Sequence, residues 1–222
     1  GVYRQLAASN FKIRDVEKWY YIPVDGDVSA GGKVDRVDEC DGLVRVIDYK
    51  TGNISYTAEE YYAGVKLQLP LYLLAASKGK RPAGAYYFPA NVEFGDKPAG
   101  DFTLKGFMDC GEEVVRNTDK TIKDKERRAF VDAYLNGRQL AGGLPEEDFS
   151  DFIAYSALIA KRGAKEMFGG NIAPSPFTGA CDYCKMGGMC GFAAGPDSRP
   201  RSVDGITCAD VARIVKKLRG EE

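Results

Sequence analysis

Hydrophobic and polar positions alternate along the first fifty residues, and then the period lengthens. Residues 11–24, "FKIRDVEKWYYIPV", alternate in places and are rich in aromatic and β-branched types, which predicts one or two strands. "DGDVSAGG", residues 25–32, is a turn cluster. Residues 31–52, "GGKVDRVDECDGLVRVIDYKTG", flank Asp41-Gly42, the strongest two-residue hairpin signal. Thr57 as N-cap with Glu60 three residues on forms a capping box. It opens a helix over residues 57–78 that is disturbed near Pro70 and closed by Gly79. "AGAYYFPANVEF" (83–94) and "DFTLKGFMD" (101–109) read as strands. Residues 112–137 and 146–170 read as two long helices, and a last helix is predicted from Thr207 to about Leu218. Between them, residues 171–200 are rich in Gly, Pro and Cys with little periodicity. The one plausible boundary lies near Gly169. Residues 1–168 form the core with a helical insertion, and 169–222 a cysteine-containing tail and C-terminal helix packed on the same domain. Strands early, helices late and a helix between strands give an α/β or α+β domain with a central mixed sheet flanked by helices.

Length and composition narrow this picture. The 222 residues support one domain with a sizeable core, and 44% hydrophobic with 28% charged residues is ordinary for a soluble protein. No apolar run approaches the roughly 20 residues of a membrane span, and the start lacks the features of a signal peptide. A cytoplasmic protein with no membrane partner is therefore expected. A formal net charge of −1 confines any nucleic-acid site to a local patch. The absence of histidine removes Ser-His and Cys-His nucleophiles and His-based zinc catalysis. Neither G-x-x-x-x-G-K-[ST] nor G-x-G-x-x-G occurs. Carboxylate, lysine, tyrosine, glutamine and cysteine remain for chemistry.

The hairpin concentrates the carboxylates. With Asp41-Gly42 as a type I′ loop, Cys40 pairs with Leu43, and continuing the register places Asp35 opposite Asp48. Opposed residues have Cβ atoms about 4.5–5.5 Å apart, so the two carboxylates repel unless a divalent cation such as Mg²⁺ sits between them. The period of two puts Lys50 on the face of Asp48. Beside a metal-bound water, a lysine lowers that water's pKa or stabilises charge on an attacked phosphate. The same register pairs Asp38 with Arg45, a structural ion pair, and sets Lys33 opposite Lys50. Asp35, Asp48 and Lys50 equally fit a solvated strand face with a surface salt bridge. Gln68 and Tyr72, four residues apart, project from one helix face, and a core tyrosine beside a surface glutamine is the plainer reading of that pair alone.

Taken together, "GKVDRVD", "VIDYKTG" and "LQLPLYLLAA" resemble the PD-(D/E)XK nuclease superfamily in its RecB-like branch, nearest to the C-terminal nuclease domain of the AddB component of AddAB-type helicase–nucleases. The family pattern of a G-x-x-D strand, a strand ending D-Y-K and a helix with Q-x-x-x-Y falls on Asp35, on Asp48 and Lys50, and on Gln68 and Tyr72. The resemblance implies a restriction-endonuclease-like core and a Mg²⁺ (or Mn²⁺) site on Asp35 and Asp48. It also implies Lys50 near the attacking water, Gln68 and Tyr72 lining the site, and hydrolysis of DNA phosphodiesters. The implied partners are DNA, contacted without sequence preference, and a helicase–nuclease motor protein of the AddA type; the implied role is double-strand-break repair and recombination.

Cys181, Cys184 and Cys190, in "CDYCKMGGMC", have metal-ligand spacing, and disulfides are not expected in the cytoplasm. The resemblance implies a [4Fe–4S] cluster on these three and a fourth cysteine upstream. Cys40, Cys110 and Cys208 do not match that upstream position, so the chain reads as truncated at its N-terminus. The cluster then belongs to the parent protein, and the three thiols here are empty, hold a degraded cluster, or bind zinc with Cys208 or another residue as fourth ligand. The basic run Arg116, Lys120, Lys123, Lys125, Arg127 and Arg128 is interleaved with acids and reads as a solvated helix face rather than a phosphate track. Two further readings stay open: a Cas4-like nuclease, and a catalytically silent DNA-binding or scaffold module on the same fold.

Overall fold

The structure is a computed structural model that describes residues 2–52, 54, 56–90, 103–121, 131, 134–136, 139–141, 143–192 and 199–220, with 134–136 and 139–141 as backbone. A short helix α1 (Val2–Ala8) leads into three strands, β1 (Lys12–Asp25), β2 (Val28–Cys40) and β3 (Leu43–Lys50). Helices α2 (Ala58–Tyr62) and α3 (Gln68–Ala76) cross over to β4 (Arg81–Pro89), followed by β5 (Lys105–Met108) and α4 (Glu112–Thr118). A small hairpin, β6 (Tyr134–Asn136) and β7 (Gln139–Ala141), precedes the long helix α5 (Glu146–Phe168) and the final helix α6 (Cys208–Arg219). The main sheet has the order β1-β2-β3-β4-β5. β3 and β4 run parallel and the other neighbours antiparallel, which makes it the mixed sheet expected.

Strand β3 is buried on both faces, as a central strand joined to a parallel neighbour must be. Val44 and Val46 face a core built with Leu69 and Leu73 of α3, Phe149, Phe152 and Ile153 of α5, and Val211 and Val215 of α6. Ile47 faces the other way, onto Tyr86, Phe88, Met108 and Val115 of α4. The sheet is thus covered on both sides.

Three elements depart from the sequence reading. The turn after β1 is only Gly26-Asp27, because Val28 already pairs with Asp25; most of "DGDVSAGG" is strand. The helix expected over 57–78 is two. The chain breaks at Gly64 (φ 80°), ahead of Pro70, which sits third in α3, where a missing N–H costs nothing. The helix expected over 112–137 stops at Thr118. Asp119 turns its carboxylate back to accept from the Thr121 N–H (2.9 Å) and hydroxyl (2.6 Å), the local bonding by which Asp competes with a helix. Tyr134–Asn136 and Gln139–Ala141 then pair as antiparallel strands. Residues 91–94 of the expected strand and Lys123, Lys125, Arg127 and Arg128 lie outside the described residues.

Candidate active site

The β2–β3 hairpin turns as its sequence demands. Asp41 (φ 46°) and Gly42 (φ 82°) both take left-handed backbone, the type I′ turn. Cys40 pairs with Leu43, Asp38 with Arg45 and Arg36 with Ile47. There the ladder ends, and β2 continues paired with β1 alone. Asp35 and Asp48 therefore sit at the fork, not in a ladder pair, and Lys33 is not set against Lys50. Pairing with β1 also lapses at this point: Val16 pairs with Arg36 and Lys18 with Val34, but Glu17 and Asp35 are skipped. Glu17 has φ 48°, a strained conformation for a residue with a side chain.

Asp35 is tied down by its side chain instead. Its Oδ2 accepts from the backbone N–H of Tyr49 (3.0 Å), which draws the carboxylate across the fork to β3 beside Asp48. Asp48 is buried, 8% exposed, and its Oδ2 is shielded from solvent with the Lys50 ammonium at 2.7 Å. Burial raises the Asp48 pKa, Lys50 pulls it down and the charge of Asp35 pushes it up again; the balance lies above the ordinary carboxylate value. Lys50 also lies 5.5 Å from the centre of the Tyr87 ring. The structure thus brings Asp35, Asp48 and Lys50 together at the C-terminal end of β3.

Gln68 and Tyr72 form a second pair. The Gln68 amide donates to the Tyr72 hydroxyl (3.1 Å), and that hydroxyl lies over Gly32 of β2, three residues before Asp35. A Cβ on Gly32 would stand 2.1 Å from the Tyr72 oxygen, so glycine is what lets α3 approach the strand. Among the described residues, the hydrogen bond of this pair is internal and reaches none of Asp35, Asp48 or Lys50.

On the opposite face of the sheet, the Asp38–Arg45 pair is part of a larger buried group. Arg36 makes two 2.6 Å bonds to Asp38, Arg45 donates to the same carboxylate at 2.9 Å, and all three are at most 1% exposed. Arg36 also donates to Gln5 (3.0 Å) and to the Tyr49 hydroxyl (3.3 Å). This set backs the residue whose N–H holds Asp35. Sequence reading missed Arg36, Tyr49, Tyr87 and Glu17. For Arg36 the signal was present, since it stands two residues from Asp38 and so shares its face.

The chemistry of the donor set suits a hard divalent cation. Two carboxylates meet at the fork, and one has a solvent-shielded oxygen with the Lys50 ammonium beside it. The tail differs. Cys181, Cys184 and Cys190 are exposed. Among the described residues, no three or more His, Cys, Asp or Glu side chains are gathered to hold a metal. Cys40 is buried with Phe11, Leu43, Ala83 and Val114 as a small hydrophobe. In the basic run, Arg116 is exposed and paired with Glu112 at 2.7 Å, as on a solvated helix face. No described helix is long and apolar enough to cross a membrane.

Comparison with known proteins identifies relatives of the chain as a whole. The family model of the PD-(D/E)XK nuclease superfamily matches residues 2–191. Three similar proteins are each named as the B component of an ATP-dependent helicase/deoxyribonuclease. That of Caldanaerobacter subterraneus subsp. tengcongensis is 31% identical over 72% of this chain and 16% of its own length. That of Clostridioides difficile is 25% identical over 86% of this chain and 19% of its own. That of Carboxydothermus hydrogenoformans is 37% identical over 46% of this chain and 10% of its own. The chain spans at most about a fifth of the length of these curated relatives. The five-stranded mixed sheet, the helices on both its faces and the match over residues 2–191 place this chain in the PD-(D/E)XK nuclease superfamily, with its restriction-endonuclease-like fold.

Proposed function

We propose that the chain is the nuclease domain of a helicase–nuclease and hydrolyses DNA phosphodiesters with Mg²⁺ or Mn²⁺. The observation that carries this reading is the buried Asp48 carboxylate set beside Asp35 and Lys50 at the open end of β3. Asp35 and Asp48 would hold the cation. Once bound, it supplies charge neutralisation at the phosphate and a more acidic water. Lys50 places an ammonium where negative charge develops on the attacked phosphate. The Tyr49 N–H fixes the Asp35 carboxylate, and the hydrogen-bonded Gln68–Tyr72 pair, seated over Gly32 three residues before Asp35, would contact the DNA strand from α3. DNA is held without sequence preference, through its backbone and unstacked bases.

The names of the relatives support a helicase motor as partner. A cytoplasmic role in double-strand-break repair and recombination belongs to the same proposal. Cys181, Cys184 and Cys190 are three candidate thiolates for a [4Fe–4S] cluster; four are the usual complement, and no step of the reaction depends on them. The testing experiment is degradation of single- and double-stranded DNA with Mg²⁺ or Mn²⁺, comparing the chain with its Asp48→Ala variant. Loss of at least about tenfold in rate is expected from removing a metal carboxylate. Equal cleavage by both would refute the assignment.

A further inference from the structure

Lys50 has two anchors of different chemistry. One is Asp48, whose Oδ2 lies 2.7 Å from the ammonium. The other is the ring of Tyr87, centred 5.5 Å from the same nitrogen, within the range in which a cation is attracted to an aromatic face. The parallel register sets Tyr87 beside Asp48, so strand pairing delivers the ring to the face that carries Asp48 and Lys50. The ring itself is fixed. Tyr87 is 7% exposed, belongs to the core with Val46, Leu73 and Ala85, and rests 6.4 Å from the Tyr56 ring. Lys50, with its side chain 40% exposed, depends on its partners to choose among rotamers.

A hard cation held at Asp48 would compete with the ammonium for the carboxylate oxygens. An aromatic face is no ligand for such a cation. We propose that the Tyr87 ring is a positioning platform for Lys50, holding its ammonium at the site when the Asp48 carboxylate is engaged by the cation. Tyr87 is then a positioning residue, acting through Lys50. This rests on the nuclease reading above.

The test compares the chain with Tyr87→Phe, which keeps the ring, and Tyr87→Leu, which removes it. Tyr87→Met replaces the latter if leucine does not fold. The first readout, taken with saturating Mg²⁺, is the NMR shift of the Lys50 Cε protons, which a ring beneath the ammonium moves upfield. The shift is expected in the wild type and in Tyr87→Phe, and lost in Tyr87→Leu. The second is cleavage: Tyr87→Leu should lower kcat by about tenfold, with KM for DNA within about twofold, while Tyr87→Phe stays near the wild type. The proposal is overturned if the Lys50 shift is the same in all three proteins, or if Tyr87→Phe loses as much activity as Tyr87→Leu. The Asp48→Ala variant, run alongside, separates the two readings. Cleavage that survives it defeats the nuclease site itself, and with it any catalytic use of the ring. Cleavage lost in Asp48→Ala but full in a folded Tyr87→Leu defeats the platform alone.

Discussion

Asp38 balances two guanidiniums in a place water does not reach. Arg36 and Arg45 both bond to it, and Arg45 stacks on the Phe11 ring at 4.3 Å. Removing the one carboxylate leaves two buried cations without a counter-charge, so Asp38→Asn is expected to cost roughly 3–5 kcal/mol in urea unfolding. A loss under about 1 kcal/mol would show that the group is hydrated and not buried. Asp15, nearer the surface, behaves differently. Burial works against its charge, but hydrogen bonds from Lys18, Tyr20 and Arg14 outweigh that and hold its pKa at about 2, below the ordinary 3.8. A depressed carboxylate stabilises the fold above its ordinary pKa and loses that contribution as pH falls through its folded value. The stability advantage of the wild type over Asp15→Asn, followed by denaturant titration, should therefore shrink as pH falls from 3.8 towards about 2.

At the scale of elements, legibility in the sequence followed how local the determining forces are. The hairpin was readable because Asp41-Gly42 fixes turn type, and turn type fixes register. Its far end was not, because the fork at Asp35 depends on β2 being shared with β1, a contact from another segment. The helix expected over 112–137 failed for a related reason. Asp119 bonds to Thr121 instead, and Val131 bridges to Leu104 in the other half of the core. Gly32 carries the junction of α3 with β2, which the G-x-x-D spacing marked without explaining. Gly32→Ala drives a methyl into the Tyr72 ring and is expected to cost about 1–3 kcal/mol by thermal unfolding. In combination with Tyr72→Ala the cost should be clearly less than the sum, since the clash is then gone. Strict additivity would mean that the ring does not lie on Gly32.

Across the whole molecule, one sheet with both faces covered brings three strand residues together at the C-terminal end of β3, with the Gln68–Tyr72 pair seated over Gly32 of β2. The family pattern named Asp35, Asp48 and Lys50, and the fold brings them within reach of one another. It could not name Arg36, Tyr49 or Tyr87, whose parts depend on the far face of the sheet and on the register with β4. The exposed cysteines lie among residues 171–192, which are described as turns and unstructured backbone with one bridge, Phe177 to Arg201, and periodicity had nothing to report there. The central claim is that Asp35 and Asp48 together form a divalent-cation site. The most direct measurement is a Mn²⁺ titration of the chain followed by electron paramagnetic resonance, with Asp35→Asn and Asp48→Asn in parallel. The account predicts a Mn²⁺ site in the wild type whose affinity falls by at least about tenfold in each variant, as expected for loss of one carboxylate ligand of two. Unchanged Mn²⁺ binding in both folded variants would contradict it.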